Sequence, residues 1–173
     1  MENLKYPIGR FSYNPEESDL KLQESMRVIN EFPGKLETLL ASMSPEQMDT
    51  PYRPEGWTAR QVVHHVADSH THALMRFKWS LTEDEPTIKA YLEAKNAQLP
   101  DYQLPVESAL HILKGVHMKW KCIMENMSSA DWDRGYHHPQ TNRFFSLKEA
   151  AALYEWHCLH HYGHLEICKA SGK

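Results

Sequence analysis

Residues 146–165 read SLKEAAALYEWHCLHHYGHL, and this stretch carries the strongest structural signal in the chain. Ser146 and Glu149 form the S-x-x-E pattern, in which each side chain bonds the other residue's backbone N–H at a helix N-terminus. The stretch holds no proline, and its apolar side chains recur at helical spacing. We therefore predict a long helix that begins at Ser146 and runs to about Cys168.

Two histidines of this helix lie on its predicted inner face. Because a residue advances about 100° around a helix, His157 and His161 project within about 40° of each other, one turn apart. Leu147, Tyr154 and Leu165 project to the same side, whereas the charged side chains project away from it. Neighbouring buried imidazoles are difficult to satisfy with hydrogen bonds alone, and a divalent cation between them removes that difficulty. The pair predicts a metal site inside the fold.

Three further helices are predicted from apolar spacing and from start signals, over about 15–43, 58–81 and 105–126. Thr58 and Gln61 form a T-x-x-Q capping pattern at the start of the second. Pro33-Gly34 is expected to kink the first or to split it in two. Four long helices around one core predict an all-α four-helix bundle.

The connecting segments carry turn signals. Residues 82–104 contain Pro86 and Pro100, with a helical turn or two around 89–96, so we predict a short excursion between helices two and three. The stretch RGYHHPQTNRFF, which starts at Arg134, predicts a loop or a small hairpin.

Length and composition narrow the class of protein. A chain of 173 residues predicts a single domain over 1–173. The 19 Lys+Arg and 23 Asp+Glu residues leave a net charge of −4, which disfavours nucleic acid and anionic membranes as partners. No apolar run is long enough to span a membrane, and the start MENLKYPIGRF lacks the apolar centre of a signal peptide, so we expect a cytoplasmic protein. Three cysteines without a CxxC pair argue against a disulfide framework, whereas 12 histidines favour metal or proton chemistry.

A third metal ligand is expected from the facing helix, which contains RQVVHHVADSHTH from Arg60. By rotation His65 borders the apolar stripe of this helix, and His64 lies farther round, toward solvent. The angular margin is about 40°, so the periodicity favours His65 without excluding His64.

Three more residues are candidates to contact a ligand or the substrate. Asp68, one turn after His65, is placed to orient an imidazole or a bound water, and a solvated charge on the helix flank is the alternative. His164, two turns after His157, is expected to reach the pocket without binding the metal itself. His138 belongs to a loop that is a candidate to overhang the pocket, where an exposed histidine is the alternative.

Several segments together resemble a known family. GWTARQVVHHVADSH from Gly56, RFKWSLTE from Arg76 and LYEWHCLHHYGH from Leu153 are similar to the DinB-like superfamily, and more closely to its YfiT-like metal-dependent hydrolases. YPIG from Tyr6, TPYR from Thr50 and RGYHHP from Arg134 belong to the same pattern, so the resemblance spans nearly the whole chain.

The resemblance implies a four-helix bundle in which three histidines, here His65, His157 and His161, hold one metal ion. It further implies zinc as that metal, a cytoplasmic homodimer and hydrolase activity. Other DinB-like relatives are transferases or isomerases that use low-molecular-weight thiols, so the fold alone does not define the reaction.

Three functions are compatible with a three-histidine site that keeps a coordination position open. In a hydrolase of a small molecule, the divalent metal, zinc or alternatively nickel, lowers the pKa of its water from about 15.7 toward about 7 and so activates it. In a thiol S-transferase the open position takes a low-molecular-weight thiol as thiolate. A non-catalytic metal-binding bundle needs a fourth protein ligand, for which Asp68 and His138 are the candidates.

Arginines near the predicted pocket extend these hypotheses to the substrate. Arg53, Arg60 and Arg76 are candidates to meet an anionic substrate at the pocket mouth, and solvated or paired surface charges are the alternative. The sequence assigns no catalytic acid or base.

Overall fold

This computed structural model describes residues 2–171, which contain eight α-helices, two short 3-10 helices at Pro15–Glu17 and Pro100–Gln103, and two short strands. The predicted domain range 1–173 extends beyond them at residues 1, 172 and 173. The helices are α1 (Glu2–Lys5), α2 (Ser18–Ala41), α3 (Pro45–Met48), α4 (Ala59–Thr82), α5 (Glu93–Asn96), α6 (Val106–Glu125), α7 (Ser129–Asp133) and α8 (Leu147–Ser171). The strands are β1 (Gly135–His138) and β2 (Arg143–Ser146).

The four long helices α2, α4, α6 and α8 form the predicted bundle, so the fold class is confirmed. Helices α2 and α4 each pack against both α6 and α8. Their apolar faces meet in one core around Trp120, whose ring makes edge contacts with Phe77 at 5.1 Å and Tyr154 at 5.2 Å between centroids. Within residues 2–171, no helix is at once long enough and apolar enough to cross a membrane.

Helix α2 is continuous through Pro33, so of the predicted kink or split at Pro33-Gly34 the split is wrong. Proline lacks the backbone N–H that would bond the carbonyl of Ile29, one turn earlier. The Nδ1 of His117, on the facing helix α6, lies 2.8 Å from that carbonyl oxygen and takes over its hydrogen bond. Tertiary structure therefore satisfies the acceptor that proline leaves free.

Capping hydrogen bonds form at the predicted starts of α4 and α8. The Thr58 hydroxyl accepts from the backbone N–H of Gln61 at 3.2 Å, and the Gln61 side chain accepts from the backbone N–H of Thr58 at 3.0 Å. The Ser146 hydroxyl likewise accepts from the backbone N–H of Glu149 at 3.1 Å. The Glu149 carboxylate, however, accepts from Arg143 at 2.7 Å, which joins the start of α8 to β2.

The connecting segments pack along α4 and against the start of α8. Strands β1 and β2 form an antiparallel hairpin, with Gly135 opposite Ser146 and His138 opposite Arg143, which is the hairpin alternative of the prediction. The excursion between α4 and α6 contains α5 and is tied to the hairpin, because His137 exchanges backbone hydrogen bonds with Pro86 and Ile88. The hairpin therefore lies against the C-terminal part of α4 and the start of α8, whereas the excursion returns along α4, where Tyr102 donates to Asp68.

The N-terminal segment runs along α8. Gly163 permits the close approach, since a Cβ at this position would lie 2.9 Å from the Pro7 ring. The Trp156 indole donates to the carbonyl of Gly9 at 3.1 Å. The backbone of residues 5–9 is therefore held against the helix that carries His157, His161 and His164.

Candidate metal centre

Three imidazoles converge where α4 faces α8. His65 comes from α4, His157 and His161 come from successive turns of α8, and one ring nitrogen of each lies within 4.8 Å of the others. Sequence analysis had named these same three residues, and the structure brings them together. His65 and His161 are buried, and His157 is partly exposed to a cavity.

The spacing of the nitrogens suits a small divalent cation. The Nε2 atoms of His65 and His157 lie 3.3 Å apart. Two imidazole nitrogens bound at 2.0–2.1 Å with a tetrahedral angle between them are separated by about 3.3–3.4 Å. The donor set and its geometry thus fit a metal ion.

A chain of hydrogen bonds fixes the tautomer of His157. The Ile29 carbonyl can only accept, so His117 donates to it through Nδ1 at 2.8 Å and keeps Nε2 as an acceptor. His70 must then donate through Nδ1 to His117 Nε2 at 2.7 Å, and His70 Nε2 accepts from His157 Nδ1 at 3.2 Å. The last nitrogen in this chain, His157 Nε2, is therefore left with a free lone pair, and it faces His65.

A second chain of hydrogen bonds fixes the tautomer of His161. His164 Nε2 donates to the Lys5 carbonyl at 3.2 Å, so His164 Nδ1 is an acceptor. His161 Nδ1 donates to it at 3.3 Å, which leaves His161 Nε2 with its lone pair. The close packing of residues 5–9 on Gly163 is what brings the Lys5 carbonyl within reach.

Burial keeps these imidazoles neutral. Loss of hydration and, to a smaller extent, the neighbouring His160 and His164 lower the pKa of His65 to about 4. Burial, together with adjacent imidazoles, also holds the pKa of His157 and His161 well below the usual value. A neutral ring has a free lone pair, so no proton has to leave before these residues bind a cation at neutral pH.

His117 makes the stability of the metal-free protein depend on pH. Burial lowers its pKa from 6.5 to about 4 in the folded state, so between these values the unfolded chain binds more protons. Stability from this residue is complete above about pH 6.5 and is lost as the pH falls toward 4, by up to about 3 kcal/mol. Urea titrations at several pH values are expected to show this loss. The His117→Leu variant should show a shallower dependence, and parallel slopes for the two proteins would contradict the assignment.

A cavity of about 440 Å³ opens beside the three histidines. Its wall is largely aromatic, formed in part by Tyr52, Trp57, Tyr136 and Trp156. His138 of the hairpin also lines it, with a buried Nδ1 that has no partner in the described chain, so this predicted residue does overhang the pocket. The volume is that of a small-molecule site.

Two residues on α4 lie away from this cavity. The Asp68 carboxylate accepts from the Tyr102 hydroxyl at 2.7 Å, and among residues 2–171 it is not part of the cavity wall. The expectation that His64 faces solvent is wrong: its ring is buried and its Nε2 lies 3.0 Å from the Leu104 carbonyl oxygen. The excursion between α4 and α6 folds over that side of the helix, which helical periodicity alone does not reveal.

A second group of histidines shares one member with the first. His160, His161 and His164 also bring one nitrogen each within 4.8 Å of the others. The His161–His164 contact at 3.3 Å is then either a hydrogen bond that orients His161 or a pair of ligands. His160 stacks on Trp156 with ring centroids 4.3 Å apart, and all three residues belong to α8. The first group alone joins two helices around the cavity.

His70 and His117 were not among the predicted site residues. Both are buried, and both project from the apolar sides of their helices toward each other. A histidine on the apolar stripe of each of two neighbouring helices was a signal that they pair. Their link to His157 depends on the packing of α4 against α6 and α8, which the sequence does not specify.

The sequence matches the family described as the DinB superfamily over residues 29–165. Relatives from Bacillus cereus (strain 03BB102) and Bacillus thuringiensis subsp. konkukian (strain 97-27) are 41% identical over 165 residues, which cover 95% of this chain and 95% of each relative. Both carry the name "Putative metal-dependent hydrolase".

Two solved structures have a similar fold. YfiT from Bacillus subtilis, described as "a probable metal-dependent hydrolase with an unusual four-helix bundle topology", matches with a TM-score of 0.87 and 39% identity over 98% of both chains. The mycothiol-dependent maleylpyruvate isomerase matches with a TM-score of 0.62 over 82% of this chain and 61% of that chain. At 16% identity, the second likeness concerns the fold alone.

Proposed function

The chain belongs to the DinB superfamily, and on that premise we propose that it is a metal-dependent hydrolase whose metal is held by His65, His157 and His161. The observation that carries this proposal is the 3.3 Å separation of the His65 and His157 Nε2 atoms beside a cavity of small-molecule size. Relatives named as metal-dependent hydrolases support the reaction class.

Zinc is the proposed metal, and nickel is the alternative. Imidazole nitrogens suit zinc, copper, iron and nickel, and a site of three protein ligands with one open position is typical of catalytic zinc. A divalent cation bound there polarises a substrate carbonyl or phosphoryl oxygen and lowers the pKa of its water from about 15.7 to about 7.

The protein's own contribution is to hold each imidazole ready. His70 and His117 keep the proton of His157 on Nδ1, and His164 keeps the proton of His161 on Nδ1, so both Nε2 lone pairs point away from these chains. The aromatic wall restricts water around the substrate. His138 lies in the same wall with an unpartnered Nδ1, which is available to bond a substrate atom.

An activity screen tests the reaction class. Zinc-loaded and chelator-treated protein are compared on 4-nitrophenyl esters, anilides and 4-nitrophenyl phosphate, with His157→Ala as the control for reaction at other histidines. We expect hydrolysis that needs the metal, returns when zinc is restored and is absent in His157→Ala. A parallel arm offers a small thiol with an aromatic chloride electrophile. A metal-dependent thioether product without any hydrolysis would replace the hydrolase proposal with the thiol transferase.

The same samples test the non-catalytic alternative. The apolar core extends through all four long helices, and the proposed site has three ligands instead of the four of a typical structural zinc site. We therefore expect circular dichroism to report retained helix after chelation. Unfolding on chelation would instead favour a metal that holds the bundle together.

A further inference from the structure

Arg76 is a buried arginine in the wall of the cavity. It extends from α4, its residue is 8% exposed, and its Nη1 donates to the Tyr154 hydroxyl at 3.1 Å. Its guanidinium carbon lies 5.8 Å from the centroid of the Tyr136 ring. Within residues 2–171, no carboxylate forms an ion pair with it.

A buried guanidinium without an anion is unusual. Arginine does not lose its proton inside proteins, so its charge cannot be removed by neutralisation. Buried charges are normally paired, because desolvation costs more than neutral hydrogen bonds return. Arg76 lines the cavity, and its side-chain hydrogen bond within residues 2–171 goes to a neutral tyrosine hydroxyl.

The other two arginines that the sequence offered for an anionic substrate have different surroundings. Arg60 pairs with Asp49 at 3.0 Å and also lies near the Leu104 carbonyl, away from the cavity wall. Arg53 donates to the adjacent Pro54 carbonyl at 3.1 Å. Of these three arginines, Arg76 alone lines the cavity.

Arg76 is adjacent to the proposed metal ligands. Tyr154, to which it donates, has its ring centroid 6.0 Å from that of His157. Tyr91 and His138 also line the cavity, and within residues 2–171 the buried Tyr91 hydroxyl and His138 Nδ1 have no hydrogen-bond partner. The cavity wall therefore combines a cation and unsatisfied polar groups with the three imidazoles.

We propose that Arg76 forms a carboxylate-binding subsite, so that the substrate carries a free carboxylate separate from the bond that is hydrolysed. The planar guanidinium matches a carboxylate with two parallel hydrogen bonds. This inference rests on the proposed function, because the carboxylate belongs to the substrate of the proposed hydrolase. The cavity holds the acidic residue Glu93 as well, on α5, and its negative charge opposes an incoming anion.

Binding of succinate to the full-length protein tests the subsite without any turnover. Trp57 and Trp156 line the cavity and report binding by fluorescence, and the measurement is made on metal-free and zinc-loaded protein. The probes are succinate, the neutral succinamide and inorganic phosphate. The variants are Arg76→Met, Glu93→Gln and, as the matched control outside the cavity, Arg60→Gln.

We expect metal-free protein to bind succinate about tenfold or more tightly than succinamide, and Arg76→Met to weaken succinate binding roughly ten- to hundredfold. Glu93→Gln should strengthen succinate binding several-fold, and Arg60→Gln should leave it unchanged. Should Arg76→Met not fold, Arg76→Lys keeps the charge without the fork and should still weaken succinate binding several-fold.

Three results would overturn the subsite: equal binding of succinate and succinamide, equal succinate binding by wild type and both Arg76 variants, or phosphate bound more tightly than succinate. Because the readout on metal-free protein involves no reaction, a missing hydrolase activity does not affect it. Conversely, hydrolysis of neutral esters with no effect of Arg76 would refute the subsite and retain the proposed function.

Discussion

Alanine at His65, His157 or His161 is expected to weaken zinc binding by roughly 100-fold or more in each single variant. Three nitrogens share the binding free energy of such a site, which for structural zinc with four ligands is about 10–16 kcal/mol at pH 7. Removing one nitrogen removes a large share of it, and within residues 2–171 the first group contains no carboxylate that replaces the lost ligand. Competition with a chromogenic chelator measures the affinity, and circular dichroism verifies the fold of each variant.

His64→Ala and His160→Ala are the matched controls for this series. His64 is the neighbour of His65 on α4, but its ring bonds the Leu104 carbonyl instead of facing the site. His160 is the neighbour of His161 and belongs to the second histidine group, so its variant also discriminates between the two groups. Loss of zinc in His160→Ala, with full binding in His65→Ala, would move the metal to His160, His161 and His164.

Much of the fold was predictable because local rules and tertiary packing agree. The capping patterns at Thr58 and Ser146 mark helix starts that form as expected. The rules failed where a contact between distant residues decided the outcome. Pro33 lies within a continuous helix because His117 satisfies the Ile29 carbonyl, and no pattern within α2 indicates that partner.

The candidate site shows the same division. Rotation about α8 brings His157 and His161 to one side, and rotation about α4 favours His65 over His64, since both arguments need only helical geometry. The environment of Asp68 was not predictable in this way, because Tyr102, which donates to it, belongs to the irregular segment before α6. Arg76 was one of three equivalent candidates in the sequence, and only packing separates a buried arginine in the cavity wall from one paired at the surface.

Replacing His70 by phenylalanine is expected to weaken zinc binding by roughly 10- to 100-fold, although His70 does not belong to the proposed ligand group. Phenylalanine has similar bulk but cannot accept from His157 Nδ1 or donate to His117 Nε2. The Nδ1 proton of His157 then has no fixed acceptor, so the ring is free to rotate or to move its proton to Nε2, the atom that must bind the metal.

If His70 has only a structural role, replacing it lowers the stability of the protein but leaves the proton of His157 on Nδ1. Nitrogen chemical shifts of the imidazoles in metal-free protein report the tautomer, and we expect wild-type His157 to carry its proton on Nδ1 and His70→Phe to give a mixture. His70→Gln offers one acceptor and one donor, so it should restore most of the zinc affinity. His72→Phe is the control, because the His72 ring stacks on Tyr91 and does not belong to the hydrogen-bond chain that ends at His157. If a folded His70→Phe protein keeps its zinc affinity and its His157 tautomer, the hydrogen-bond chain from the Ile29 carbonyl through His117 and His70 does not position His157.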